Sequence, residues 1–198
     1  MDAQCGWCYG NSANMSKLTA DFSSKFNFEI VTGGMWLGQN TPKGGENLSA
    51  FLQANAPRMS ATTGATIGEA FYSLANDSSY AFSSLEPDAA ITLVKAMAPE
   101  RVFEFAKQVQ RALYVAGKRL DETDTYIEIL DDMGLSKIEF LNQWMTDGNI
   151  KHTKAEFEKA KTLAQSFPTL LLHTNGKTEV LASGYFNYAP IFEYLNNA

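Results

Sequence analysis

The 198-residue chain carries two cysteines, Cys5 and Cys8, both in the stretch CGWCYG near its start. Two thiols separated by two residues can form a dithiol–disulfide couple, half of a metal site, or an attachment point for a cofactor. They can also be structural or incidental. Two cysteines scattered at random over 198 positions fall three apart in about one placement in a hundred. A tetrahedral zinc site needs two further thiolate or imidazole ligands. Only His152 and His173 remain, and they lie much farther apart than the three to five residues that separate finger histidines. Covalent haem attachment needs His directly after the second cysteine, and Tyr9 stands there. Redox chemistry is therefore the favoured reading. No metal is expected, and a structural or incidental pair stays open.

Redox chemistry places demands on the surrounding elements. Only the thiolate attacks a disulfide. A cysteine at a helix N-terminus has its anion stabilised by free backbone N–H groups and the helix dipole. A second cysteine one turn later lies on the same face and can release a mixed disulfide. The spacing of Met15, Leu18, Phe22 and Phe26 predicts such a helix after Cys5. Cys5 is expected to be the more acidic and more exposed thiol, and Cys8 the more buried. Phe28, Ile30 and Val31 then read as a short buried strand ending at Gly33-Gly34.

From about residue 46 to 165 the pattern is almost wholly helical. Thr66 to Glu69 (TIGE) reads as a capping box before Ala70, Phe71 and Leu74. Pro87 and Pro99 each stand near a helix start, and Gly117 at a helix end. ETDTYIEILDDMG and LSKIEFLNQWMTDG read as two shorter helices, each closed by Gly. The aromatic residues of this block read as core. The last 33 residues change character. Thr169 to Leu172 is a β-run, Asn175-Gly176 a hairpin turn, Lys177 to Ala182 the returning strand, and Ile191, Phe192 and Leu195 the apolar face of a final helix.

Composition narrows the partners. The chain has 16 basic and 22 acidic residues and a net charge of −6, without a Lys/Arg cluster, which argues against nucleic acid or a membrane surface. No apolar run approaches the roughly 20 residues of a membrane span. No signal peptide is visible, so the expectation is a cytoplasmic protein, or one whose export signal lies outside this sequence.

The order of elements, with C-x-x-C opening the first helix and Pro168 opening the hairpin, resembles the thioredoxin fold with a large all-helical insertion, the DsbA-like architecture, an α/β fold. Within it the chain is similar to the branch described as protein-disulfide isomerases related to the FrnE proteins, and more distantly to the hydroxychromene-carboxylate isomerases. The stretches CGWCYG, VTGGMWLG, EPDAAITLV, RVFEFAKQVQRALYVAGKRL and SFPTLLL carry the likeness over nearly the whole chain. The resemblance implies a thioredoxin-like domain from residues 1–45 and 150–198, and a helical insertion over 46–149. It makes Cys5 the attacking thiol and Cys8 the resolving one. It places Pro168 as a cis-proline facing them, with Phe167 supplying a backbone edge for a peptide substrate, and Gly6 and Trp7 beside it.

The implied function is a thiol–disulfide oxidoreductase or protein-disulfide isomerase with no prosthetic group. Its partners would be protein or peptide disulfides and a regenerating thiol, with glutathione a candidate reductant. A glutathione-linked small-molecule isomerase or transferase is the alternative, although those isomerase relatives lack the cysteine pair. A peptide-binding or chaperone-like module is a third reading. Trp7 brings no positive charge to the thiolate, so Cys5 is expected to be a weaker oxidant centre than that of DsbA, which has histidine in the dipeptide. Only MDAQ precedes Cys5, too short for the strand that normally feeds this helix. The expectation is that the recorded start falls inside the natural protein. Asp2 to Gln4 are expected to be extended and paired with Phe28 to Val31 or with the strand starting at Thr169.

Overall fold

A computed structural model describes all 198 residues. Helix α1 (Gly6–Phe22) buries Leu18 and Phe22, one turn apart, on the side facing the C-terminal elements. It ends before Phe26, whose N–H still bonds the Phe22 carbonyl at 2.8 Å and whose ring lies 6.1 Å from that of Phe22.

The next stretch, residues 27–33, is not a strand. None of its backbone N–H groups donates a hydrogen bond to another part of the protein. The apolar alternation is there and Ile30 is buried, but a ladder needs a neighbouring chain and none lies alongside. Asp2 to Gln4 is likewise a turn and not an extended segment, because the Asp2 carboxylate accepts the Gln4 N–H at 2.9 Å and the Asp2 carbonyl accepts the Cys5 N–H at 3.2 Å. The only link to the expected partner is the Met1 ammonium, which donates to the Val31 carbonyl at 2.7 Å.

Helices α2 (Glu46–Thr63), α3 (Glu69–Ala75), α4 (Leu85–Met97), α5 (Val102–Tyr114), α6 (Thr123–Met133), α7 (Lys137–Gln143) and α8 (Asp147–Leu163) follow. The Thr66–Glu69 capping box does not form. Gly68 is the N-cap of α3, and its N–H is taken by the Tyr114 carbonyl at 2.9 Å. Gly134 closes α6 in the left-handed conformation as expected. Gly148 does not close α7: Thr146 starts a new helix by accepting the Asn149 N–H at 3.4 Å, which places Gly148 in the first turn of α8.

Strands β1 (Thr169–Thr174) and β2 (Lys177–Ser183) pair antiparallel, with an irregularity between Leu170 and Leu171. Asn175 and Gly176 have φ of 52° and 73°, the two positive values that a type I′ hairpin turn requires. Helix α9 (Tyr188–Asn197) packs back on α1 through Ile191 and Leu195.

The apolar interior is divided. One cluster of 28 buried residues unites α3 to α7 with Ala3, Tyr9 and Ile30. A second of 6 joins α1, β1, α9 and Phe186. Between them lies a cavity of about 570 Å³. No helix is long and apolar enough to cross a membrane.

Candidate active site

Cys5 is the N-cap of α1, in extended backbone conformation (φ −86°, ψ 112°), so its sulfur faces the first free N–H groups of the helix. The position is fixed by a buried polar network that the sequence did not signal. The Asp2 carboxylate accepts the Met35 N–H at 2.6 Å and the Ser84 hydroxyl at 3.0 Å. Asp88, fully buried on α4, accepts the Ala3 N–H at 3.1 Å and the Gly34 N–H at 3.2 Å. The Tyr114 hydroxyl donates to the Gln4 carbonyl at 2.6 Å, and the Gln4 amide donates to the Ser83 carbonyl at 2.9 Å. The turn before Cys5 is thus bolted to α4 and α5. A short acidic side chain three residues before Cys5 suggests at most a bond within its own turn, and the distant partners of Asp2 are not legible from it. Burial, reinforced by the nearby Asp2, pushes the Asp88 carboxyl well above the usual carboxylate range.

Both cysteines are free. The expectation that Cys5 would be the exposed thiol is not met: Cys5 is 6% exposed and Cys8 5%. The wall over Cys5 includes the segment leading into β1, whose Phe167 carbonyl lies 3.6 Å from the Cys5 sulfur and can accept its S–H. The difference between the thiols is electrostatic. The Cys8 thiol hydrogen-bonds to the Cys5 sulfur and, with the N–H groups of Cys8 and Trp7, holds Cys5 below the ordinary thiol value despite burial and the opposing charge of Asp2. Burial above all, and then the neighbouring Cys5, pushes Cys8 well up. The acidity order expected for the pair therefore holds, through hydrogen bonding and not through exposure.

The Phe167–Pro168 peptide is cis. Pro168 is buried and Phe167 half-buried, at the start of β1. Gly33 lies against the Phe167 ring, so closely that a Cβ there would be 2.3 Å from Phe167 Cζ. Trp7 is half-buried and rests on the large apolar cluster. Gly6 is half-buried too, and a Cβ on it would stand 3.7 Å from the Tyr114 hydroxyl. Cys8, Phe167 and Pro168 also line the cavity between the two clusters. His152 and His173 are both exposed; His173, which borders the same cavity as Cys8, has its Nδ1 2.9 Å from the Thr178 hydroxyl. Nowhere do three or more His, Cys, Asp or Glu side chains gather as a metal site would need.

No protein-family model matches the chain, and no curated protein matches it either. Solved structures do. A candidate protein disulfide isomerase from Nitrosomonas europaea superposes with a TM-score of 0.86 at 19% identity, over 99% of this chain and 93% of that one. The cytosolic disulfide reductase DsbM from Pseudomonas aeruginosa gives 0.82 at 25% identity, over 100% of this chain and 97% of that one. The chain has the thioredoxin-like fold in its DsbA-like form. A 2-hydroxychromene-2-carboxylate isomerase shares the DsbA-like fold more loosely, with a TM-score of 0.61 at 12% identity over 100% of this chain and 91% of that one. In this DsbA-like frame, α1 carries the cysteine pair at its head.

Proposed function

We propose that the protein is a thiol–disulfide oxidoreductase acting through Cys5 and Cys8, on protein or peptide disulfides. The observation that carries this reading is the pairing of a thiol of lowered pKa at a helix N-cap with a buried thiol of raised pKa one turn on. The Cys5 thiolate attacks one sulfur of a substrate disulfide. The substrate S–S bond breaks, a mixed disulfide forms, and the leaving thiolate takes up a proton. Cys8 then loses its proton and attacks the Cys5 sulfur, giving the Cys5–Cys8 disulfide and a second substrate thiol. Two electrons pass from the protein dithiol to the substrate, and a thiol donor must return them.

Phe167, whose carbonyl lies 3.6 Å from the Cys5 sulfur, the adjoining Pro168, and Gly6 and Trp7, which follow Cys5 in the chain, are the proposed substrate-binding residues. The likeness to a cytosolic disulfide reductase over the full chain favours the reductive direction and a cytoplasmic setting. DsbM has also been solved with GSH, at 26% identity to this chain, which supports glutathione as the thiol donor to test.

The test is insulin reduction with glutathione as donor, together with iodoacetamide titration of the single Cys→Ser variants. Wild type is expected to be active. Cys8→Ser should accumulate mixed disulfides through Cys5, and Cys5→Ser should accumulate few. Because its pKa is lowered, Cys5 in the Cys8→Ser variant should still alkylate below the ordinary thiol range of about 8.5, although less readily than with Cys8 present. Cys8 in the Cys5→Ser variant should react only above that range. Equal, unshifted reactivity at both positions would remove the assignment.

A second reading has one supporting observation: the cavity behind Cys8, in a fold shared with an isomerase of a small aromatic acid. A glutathione-linked isomerisation or transfer that survives loss of both cysteines would favour it.

A further inference from the structure

Asp88 stands in the first turn of α4, within the stretch EPDAAITLV. An acidic residue there ordinarily faces solvent and complements the helix dipole. Asp88 is instead 0% exposed. Burying a carboxyl away from water is costly unless its oxygens find donors. Lys95, the basic residue of the same helix, is taken by Glu29 and Glu156. Asp88 finds backbone N–H groups: Oδ1 accepts from Ala3 at 3.1 Å and Oδ2 from Gly34 at 3.2 Å. Both of the groups it holds are donors. A carboxyl offers an acceptor on each arm, whereas an amide of the same size offers one acceptor and one donor.

The two arms end on two sides of the cysteine pair. Ala3 lies two residues before Cys5, in the turn that leads to it. Gly34 follows Gly33, against which the Phe167 ring rests so closely that a Cβ would be 2.3 Å from its Cζ. The Phe167 carbonyl returns to the Cys5 sulfur at 3.6 Å. These contacts close a loop, from Asp88 through Ala3 to Cys5, across to Phe167, down to Gly33 and Gly34, and back to Asp88. Asp2 doubles the bridge one residue along, with Oδ1 on the Gln4 N–H and Oδ2 on the Met35 N–H. Asp2, however, belongs to the turn that it braces. Asp88 belongs to α4, which is buried from Pro87 to Val94, and its own N–H bonds the Ser84 carbonyl at 3.0 Å. Both sides of the site therefore take their position from α4 through this one side chain.

We infer that Asp88 is a positioning residue for Cys5: through its two oxygens it fixes the turn that carries the thiol relative to the segment on which Phe167 rests. This rests on the reading of Cys5 as the attacking thiol. Cys5 is made acidic by the Cys8 thiol and by the N–H groups of Cys8 and Trp7, and these reach its sulfur only while it is held at the N-cap of α1. A loosened turn lets the sulfur drift toward ordinary thiol behaviour and out of line with the Phe167 carbonyl.

The experiment follows the ultraviolet thiolate absorbance of the reduced protein against pH, and insulin reduction in parallel, in the parent chain and in Asp88→Asn, Asp88→Ala and Phe105→Ala. Asp88→Asn keeps the volume and one acceptor, and Asp88→Ala keeps neither. Phe105→Ala, in the same helical block, controls for lost stability alone. The Cys5 midpoint should rise toward the ordinary thiol value of about 8.5, further in the Ala variant than in the Asn variant. Insulin reduction should fall about tenfold or more in Asp88→Ala, as for a reacting group misplaced by a fraction of an ångström to an ångström. Phe105→Ala, measured where it is folded, should move neither. Where Asp88→Ala does not fold, the Asn variant decides alone. An unmoved midpoint in a folded Asp88 variant overturns the inference, and so does an equal rise in Phe105→Ala. A lowered midpoint overturns it too, because Asp88 would then act as a charge on the sulfur and not as a brace. A parent chain that does not reduce insulin, with midpoints moving as expected, would remove the oxidoreductase reading and keep Asp88 as the brace of Cys5.

Discussion

The two halves of the molecule are built to different standards. The helical block has a continuous interior in which Phe105, Tyr126, Leu130 and Phe140 are fully buried and rings meet face and edge, as Phe140 and Trp144 do at 5.8 Å. The hairpin side has a cluster of 6 residues, a sheet of two strands and leucines left half-exposed. The chemistry sits on the seam. Cys5 and its turn are held by the block, through Asp2, Asp88 and Tyr114. The carbonyl beside its sulfur and Pro168 come from the hairpin side. A seam of this kind gives the attacking thiol a rigid mount and leaves the surface opposite it free to yield to a substrate.

Truncating one residue on each side tests the contrast at its strongest. Phe105→Ala opens a hole in the complete core and should cost about 3–5 kcal/mol in urea unfolding. Leu195→Ala, equally buried but in the small cluster beside the cavity, should cost nearer the lower end of the 2–5 kcal/mol range for such truncations, because fewer packed neighbours are lost. Equal losses would mean that the small cluster is as well packed as the large one.

The tie between the open 27–33 stretch and the helices comes next in size. The Lys95 ammonium of α4 donates to the Ile30 carbonyl at 2.9 Å and to Glu156 of α8 at 2.6 Å, with Glu29 at 3.6 Å. It ties the open 27–33 stretch to two helices, as Glu29 also does through Lys159 of α8 at 2.8 Å. Lys95→Met keeps the stem but leaves Glu156 without its cation and Ile30 without a donor. A loss of about 1.5–3 kcal/mol is expected, as for hydrogen bonds to partly buried charged groups. It should be accompanied by faster amide exchange in α8 near Glu156. A loss below about 0.5 kcal/mol would make the contact an ordinary surface pair.

Legibility in the sequence follows the same division. The helices of the block could be read because each has an apolar stripe at helical spacing and punctuation by Pro or Gly, as at Pro87, Pro99 and Gly134. The hairpin could be read because Asn175-Gly176 names its own turn. The cysteine pair stood out by spacing alone. What could not be read depends on partners distant in sequence. The 27–33 stretch has the pattern of a strand, but pattern does not supply a neighbour. Asp2 looked like part of an extended lead-in, because nothing local shows that Ser84 and Met35, more than thirty residues away, will use its carboxylate. The burial of Cys5 depends on Phe167, which approaches from the far end of the chain.

The smallest effect on stability should come from Gly33→Ala, and it is the sharpest probe of the seam. Gly33 belongs to the stretch held against the block, and Phe167 to the hairpin side. The added Cβ would meet the Phe167 ring at 2.3 Å, 2.6 Å and 2.7 Å from Cζ, Cε1 and Cε2. Those atoms are the far end of a half-buried side chain, so the ring can swing outward and the backbone of residue 33 need not move. If the hairpin side is the yielding half, the cost is within about 1 kcal/mol, in the range of ordinary tolerated substitutions. The ring's own backbone carries the carbonyl that lies 3.6 Å from the Cys5 sulfur, so the same swing disturbs the surface facing the attacking thiol. The expected result is a nearly unchanged melting temperature with a several-fold slower insulin reduction and a changed rate of Cys5 alkylation. A loss of 3 kcal/mol or more, the size of a core defect, would show that Phe167 is locked as firmly as Phe105. The two halves would then differ in size but not in stiffness.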